Sequence, residues 1–250
     1  MASILYVFPH PDDESFGPAP LLAQQRRHGH EVHLLTLTRG EATSQRERLG
    51  VGTAEMAEIR AAEMQDVAAA LDLTSLEVLT YPDGRLDELN PLELEQTVAE
   101  HLHRTAPDLV VTYPVHGISG HPDHLVTHAV VKRVAAQFRA DGVSYPRRLA
   151  FFTLAAPSGT TDRPDHLRHS PAAVIDVRVS IDAVDLERGR DALYCYETYL
   201  PVIEEHQPLQ DVTDGIVLEI WGEAYDPPLS DPLDALPDAD ASRPDVPVRR

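Results

Sequence analysis

The sequence predicts an α/β domain, a three-layer α/β/α sandwich around a mostly parallel sheet, on three observations. Short apolar runs alternate with longer amphipathic segments over residues 3–200, the pattern that right-handed β-α-β crossovers impose. The first run, Ile4-Leu5-Tyr6-Val7-Phe8, is apolar at every position, as in a strand buried on both faces. With 250 residues the chain is also long enough for one domain with a large core.

The remaining elements follow in order. Residues 32–37 read as a second strand, and residues 54–71, rich in Ala, Glu and Met, as an amphipathic helix. A third strand covers residues 76–80, and a helix entered through Asn90-Pro91 covers residues 92–103. Residues 108–113 make the fourth strand. The helix after it spans residues 125–138, where Val126, Ala129, Val130 and Val134 recur at helical spacing, and Pro122 suits its first turn. Strands at residues 149–154 and 174–177 and a helix at residues 183–199 complete the pattern. This order is Rossmann-like, but no Gly-rich fingerprint follows the first strand, so nicotinamide or flavin binding is not expected.

Two stretches are irregular. Residues 155–171 read as a surface insertion bordering the pocket. Residues 226–250 hold six prolines among aspartates, which disfavours an isolated helix or a central strand. The expected organisation is therefore one domain over residues 1–225, followed by a Pro/Asp-rich tail over 226–250 that is flexible or draped on a partner.

Charge excludes several function classes. The formal net charge is −20, which argues against nucleic acid or anionic membrane as a partner, since both need a basic patch. No apolar run is long enough to span a bilayer, and no basic-then-apolar leader opens the chain. Its single cysteine, Cys195, cannot form an internal disulfide. A cytoplasmic protein acting on a small molecule is expected, with self-association left open.

Chemistry concentrates in two motifs, each at the end of a strand-like run. His10-Pro11-Asp12-Asp13-Glu14 follows the first strand and His121-Pro122-Asp123-His124 follows the fourth. In open α/β sheets ligands bind outside the carboxyl ends of the strands, so both motifs fall on the functional edge. Catalytic zinc commonly takes three protein ligands from His and Asp or Glu, leaving a position for water. His10, Asp13 and His124 fill that set. Asp12 is then free to act as general base, and His121 as an acid or a polariser of the developing oxyanion.

These motifs resemble those of the LmbE-like or PIG-L-like metal-dependent N-acetylglucosamine deacetylases. Thr38-Arg39-Gly40-Glu41, Arg60 with Glu63, and Pro82-Asp83-Gly84 extend the likeness. The resemblance implies a zinc held by His10, Asp13 and His124, Asp12 as base, and His121 assisting the tetrahedral intermediate. It also implies sugar or aglycone contacts from Arg60 and Asp83. Within the family, the run Phe8 to Gly17 and His116-Gly117 ahead of the second motif are similar to the second subgroup of bacillithiol-biosynthesis deacetylases. That likeness implies N-acetylglucosaminyl malate as substrate. Ser119 stands where mycothiol-pathway relatives carry a tyrosine, and Cys195-Tyr196-Glu197-Thr198-Tyr199 departs from the subgroup's pattern.

Against the acidic background, Arg39, Arg46 and Arg48 lie close to the expected site mouth, with Arg60 on the next helix. Arginine suits bidentate carboxylate recognition, although pairing with Glu41, Glu47 and Glu55 competes with that role. His116, in the loop before the second motif, is a further candidate substrate contact. Two other readings stand beside deacetylation of this conjugate. One is a deacetylase of another N-acetylglucosaminide or an antibiotic intermediate, and the other is a non-catalytic sugar-binding domain.

Overall fold

The computed structural model describes residues 1–156, 166–212 and 214–238. Strands β1 (Ser3–Phe8), β2 (Glu31–Thr38), β3 (Ser75–Tyr81), β4 (Leu109–Thr112), β5 (Arg148–Thr153), β6 (Val177–Val179) and β7 (Ile216–Ile220) form one sheet in the order β3-β2-β1-β4-β5-β7-β6. The first five are parallel, while β7 runs antiparallel to both β5 and β6.

Alternation along β1 divides the core. Ile4, Tyr6 and Phe8 enter one apolar cluster, and Leu5 and Val7 enter the other, as a period of two requires. The first cluster is closed by α1 (Ala19–Arg27), α3 (Thr53–Ala70) and α6 (Ala183–Tyr194), and the second by α4 (Pro91–Thr105) and α5 (Pro122–Ala140). Helices therefore lie on both faces of a mostly parallel sheet, as expected. No described helix is long and apolar enough to cross a membrane.

Strand order reverses between β1 and β4, so the loops leaving their carboxyl ends diverge and open a crevice. The register sets Leu5 beside Val110 and Tyr6 beside Val111. Both motifs thus emerge side by side at this switch point.

Three expectations need correction. Residues 172–174 make a 3₁₀ turn, and the strand expected at 174–177 lies instead at Val177–Val179. The helix expected over 183–199 ends at Tyr194; a 3₁₀ turn at Glu197–Tyr199 and a new helix, α7 (Leu200–His206), follow. Pro201 lies in the first turn of α7, where its missing N–H costs nothing, although it would break a continuous helix. Finally, residues 226–238 are docked. The Arg148 guanidinium, fully buried, donates to the carbonyls of Pro232, Asp234 and Ala235, and Leu229 exchanges backbone hydrogen bonds with Asp176 and Arg178. Proline-rich backbone keeps its carbonyls free, and a buried guanidinium needs such acceptors. Residues 239–250, and residues 157–165 of the expected insertion, lie outside the described residues.

Candidate metal and catalytic site

After β1 the chain folds back on itself. The His10 backbone N–H donates to Asp13 Oδ2 at 2.8 Å, while the Asp12 carbonyl accepts from the N–H groups of Ser15 and Phe16, both at 2.8 Å. Asp12 sits at φ +87°, a left-handed conformation that aspartate tolerates better than most residues. After β4, Tyr113 reaches across to donate to Asp13 Oδ1 at 2.6 Å, and its ring stacks on His124 with centroids 4.1 Å apart. His121 is the N-cap of α5, its Nδ1 accepting from Asp123 N–H at 3.1 Å.

Three donor groups converge between these loops. His124 Nε2 lies 3.3 Å from His10 Nδ1 and 3.3 Å from Asp13 Oδ1, and His10 Nδ1 lies 3.5 Å from Asp13 Oδ2. Ligands at the usual zinc bond lengths of ~2.0–2.1 Å in a tetrahedron stand about 3.4 Å apart. The far nitrogens already have acceptors. His124 Nδ1 donates to the Gly117 carbonyl at 2.8 Å, and His10 Nε2 to Asp123 Oδ2 at 3.1 Å, with Asp83 Oδ1 at 3.3 Å. Two imidazole lone pairs are thereby left facing each other beside a carboxylate, an arrangement that calls for a cation.

The carboxylates around His10 favour positive charge at this point, which either a proton or a bound cation supplies. Burial disfavours a charged His10, yet Asp123, Asp13 and Asp83 outweigh it and push the imidazole up to about 10. Burial likewise opposes ionisation of Asp13, but His124 and His10 hold its carboxyl well below the usual range. His10 also belongs to two other sets of donor atoms close enough to share a metal, one with His121 and His124 and one with Asp83 and Asp123. Asp123 is fully buried and also accepts from the Gly84 and Leu86 N–H groups at 2.8 and 3.0 Å. That is the arrangement of a carboxylate that orients a ligand histidine from behind. The residues present thus fit a divalent ion held by His10, Asp13 and His124.

Beside this cluster Asp12 Oδ2 accepts from Arg60 Nη2 at 2.5 Å. Burial lifts the Asp12 carboxyl to about 6 in spite of Arg60, a value suited to a base near neutral pH. Arg60 is 2% exposed; it also donates to the Pro11 and Gly40 carbonyls at 2.7 and 3.1 Å, and Tyr199 covers its guanidinium at 4.2 Å. Gly40 is needed there, because a Cβ would lie 2.2 Å from Arg60 Nη1. Burial, then His10 and His124, depress the pKa of His121. With Nδ1 accepting from the backbone, the neutral ring carries its proton on Nε2.

The structure therefore brings His10, Asp12, Asp13, His121 and His124 together, while the expected substrate contacts fare differently. Arg60 is committed to Asp12. Asp83 lies against His10 and accepts from Ala42 N–H at 2.7 Å. Arg39 pairs with Glu58, away from the cluster, and Arg46 is half-buried on the short helix α2 (Gln45–Leu49). His116 Nε2 bonds Ser170 Oγ at 3.1 Å, and Ser170 in turn donates to Glu219. These are internal contacts. Sequence reasoning missed Asp123 and Tyr113, although both lie within or just before the second motif. The signal for Asp123 was available: a ligand histidine needs an acceptor for its second nitrogen.

Fold and site together define a doubly wound α/β protein with a His/Asp donor cluster at its topological switch point. The family described as PIG-L: GlcNAc-PI de-N-acetylase matches residues 5–135, just over half of the chain, and the chain belongs to that family. It is 31% identical over 166 residues to the 1D-myo-inositol 2-acetamido-2-deoxy-alpha-D-glucopyranoside deacetylase of Kineococcus radiotolerans, covering 56% of this chain and 46% of that one. To the probable N-acetyl-alpha-D-glucosaminyl L-malate deacetylase 2 of Bacillus subtilis it is 31% identical over 123 residues, covering 48% and 55%. The chain spans about half the length of these curated relatives. Among solved structures, the A40926 pseudoaglycone deacetylase Dbv21 superposes with a TM-score of 0.63 at 22% identity, covering 88% and 95% of the two chains. The 4-carboxy-2-hydroxymuconate hydratase GalB of Pseudomonas putida superposes with a TM-score of 0.66 at 16% identity, covering 88% and 96%. A fold that serves both proteins does not choose the reaction; the site has to.

Proposed function

We propose that this protein hydrolyses the N-acetyl group of an N-acetylglucosamine conjugate, with a zinc ion held by His10, Asp13 and His124. The observation that carries the reading is the three-way convergence of His10 Nδ1, Asp13 and His124 Nε2 at 3.3–3.5 Å, with the Asp12 carboxylate alongside. When bound, such an ion polarises the amide carbonyl and lowers the pKa of water.

The chain's own groups supply the remaining steps. Asp12 takes a proton as water oxygen bonds to the amide carbon. Negative charge then grows on the carbonyl oxygen, and the His121 Nε2–H is the donor available to it. The carbon–nitrogen bond breaks as the departing nitrogen receives the proton held by Asp12, leaving acetate and a free amine. Asp12 suits that return better than His121, because the depressed pKa of His121 makes its neutral ring a poor acid. Arg60 holds the Asp12 carboxylate in place and keeps its pKa from rising further.

N-Acetylglucosaminyl malate is one conjugate of this class, offered by the likeness to the Bacillus subtilis relative. The arginines counted on to receive its carboxylates give little help, since Arg60 serves Asp12 and Arg39 serves Glu58. We keep the reaction in the cytoplasm, in line with a chain whose one cysteine is free. The test is amine release from a panel of N-acetylglucosaminides by zinc-loaded protein. Release that is lost in Asp12→Asn supports the reading, and no release from any member sinks it.

A further inference from the structure

A cavity of about 640 Å³ opens on the catalytic cluster and is lined there by Asp12, Asp13, Tyr113 and His124. Its apolar wall is Phe16, Ile118, Phe152, Leu154, Leu167 and Pro208. This wall is continuous with the catalytic loops. Phe16 lies three residues beyond Asp13, Ile118 lies between Tyr113 and His121, and Phe152 is on β5, the neighbour of β4. Gly17 packs directly behind Phe152: a Cβ there would meet the ring at 2.2 Å. Ring position, and so cavity width, depends on that glycine.

The remaining lining is polar: Asp12, Asp13 and Glu205 face the cavity with His166, His206 and the glutamines at 207 and 210, and no lysine or arginine is among its described lining residues. A carboxylate-bearing aglycone would lose water there without gaining a guanidinium, in a protein of net charge −20. An apolar group gains instead, since each buried methylene is worth about fourfold in binding.

We infer that the cavity selects glucosamine amides bearing an apolar substituent, either an acyl chain longer than acetyl or a lipophilic aglycone. This rests on amide hydrolysis at His10, Asp13 and His124. For a longer acyl chain the step is unchanged: water oxygen bonds to the acyl carbon, the carbon–nitrogen bond breaks, and the amine takes the proton.

Two substrate series separate the sources. One varies the acyl group of glucosamine from acetyl through butanoyl to octanoyl; the other varies the glycoside of N-acetylglucosamine from methyl to octyl, with the malate conjugate as comparator. Amine release by the full zinc-loaded chain is expected to rise in kcat/KM by about tenfold or more from the short to the long member of one series, and the series that rises names the source. Leu154→Gln and Gly17→Ala should each flatten that ratio, which cancels any loss of folded protein within a variant. Turnover with both series flat, or best with malate, would overturn the inference and leave N-deacetylation standing. Should nothing be hydrolysed, the deacetylase reading falls. Calorimetry with the amide-free products, octanoate against acetate and octyl against methyl glucosaminide, then decides the cavity: a tighter long member upholds its apolar preference, and equal or absent binding overturns it.

Discussion

Arg60 Nη2 donates to Asp12 Oδ2 at 2.5 Å from a position that solvent does not reach. An arginine expected to bind substrate thus fixes the proposed base, through a guanidinium that also donates to the Pro11 and Gly40 carbonyls. Such a fork cannot be replaced by a lysine, which offers a point charge in place of planar donors.

The first prediction concerns pH. Asp12 must be ionised to act as base, so kcat/KM should fall as pH drops through the Asp12 pKa, raised by burial to about 6. Arg60 lowers that pKa, so Arg60→Met should move the acidic limb to higher pH. An unmoved limb in a folded variant would show that Arg60 does not act through Asp12.

Base and ligand should separate on mutation. Asp12→Asn is expected to retain its metal and lose roughly 10²–10⁴-fold in turnover, whereas Asp13→Asn should lose metal as well. Elemental analysis beside the rate assay checks both. Near-normal turnover in Asp12→Asn would assign water activation to another group.

Asp123 yields a prediction of a different kind, because its carboxylate faces His10 Nε2 and not the donor cluster itself. Asp123→Asn leaves the three proposed ligands in place but presents a donor or a weaker acceptor to His10. Metal affinity, measured by chelator competition, should fall about 10–100-fold. Unchanged affinity would remove Asp123 from the site's support.

His116 should behave as a support and not as a sugar contact. It is tied to Ser170, and it precedes Gly117, whose carbonyl accepts from His124 Nδ1. His116→Ala is therefore expected to weaken metal binding while leaving KM for the sugar within about twofold at saturating metal, since both ring nitrogens are engaged within the protein, by Ser170 and by the Ile118 N–H. A raised KM with intact metal affinity would restore the substrate role.

The sheet was legible as far as its parallel half extends. β1 and β4 are apolar at nearly every position, and that composition marks doubly buried strands wherever they occur. The switch point and both motifs follow directly. β7 was not legible: Ile216–Ile220 includes Glu219, whose pKa burial raises and whose carboxylate is satisfied by Ser170, a partner far away in sequence. Arg148 and Arg60 were hidden for the same reason. Both lie in stretches whose pattern sets the element, while their acceptors come from distant carbonyls and carboxylates. The proposed ligands could be read because their chemistry limits the residue types and their spacing places them on two neighbouring loops. The substrate contacts could not, because an arginine near a site in sequence has no fixed direction until its partner is known.

The most direct test is acetate release from an N-acetylglucosaminide by chelator-treated protein titrated with zinc, run beside His124→Ala. The account predicts no release without metal, activity that rises to one equivalent of zinc per chain, and none from His124→Ala at that loading. Full activity in the metal-free protein, or unimpaired activity and zinc content in His124→Ala, would contradict it.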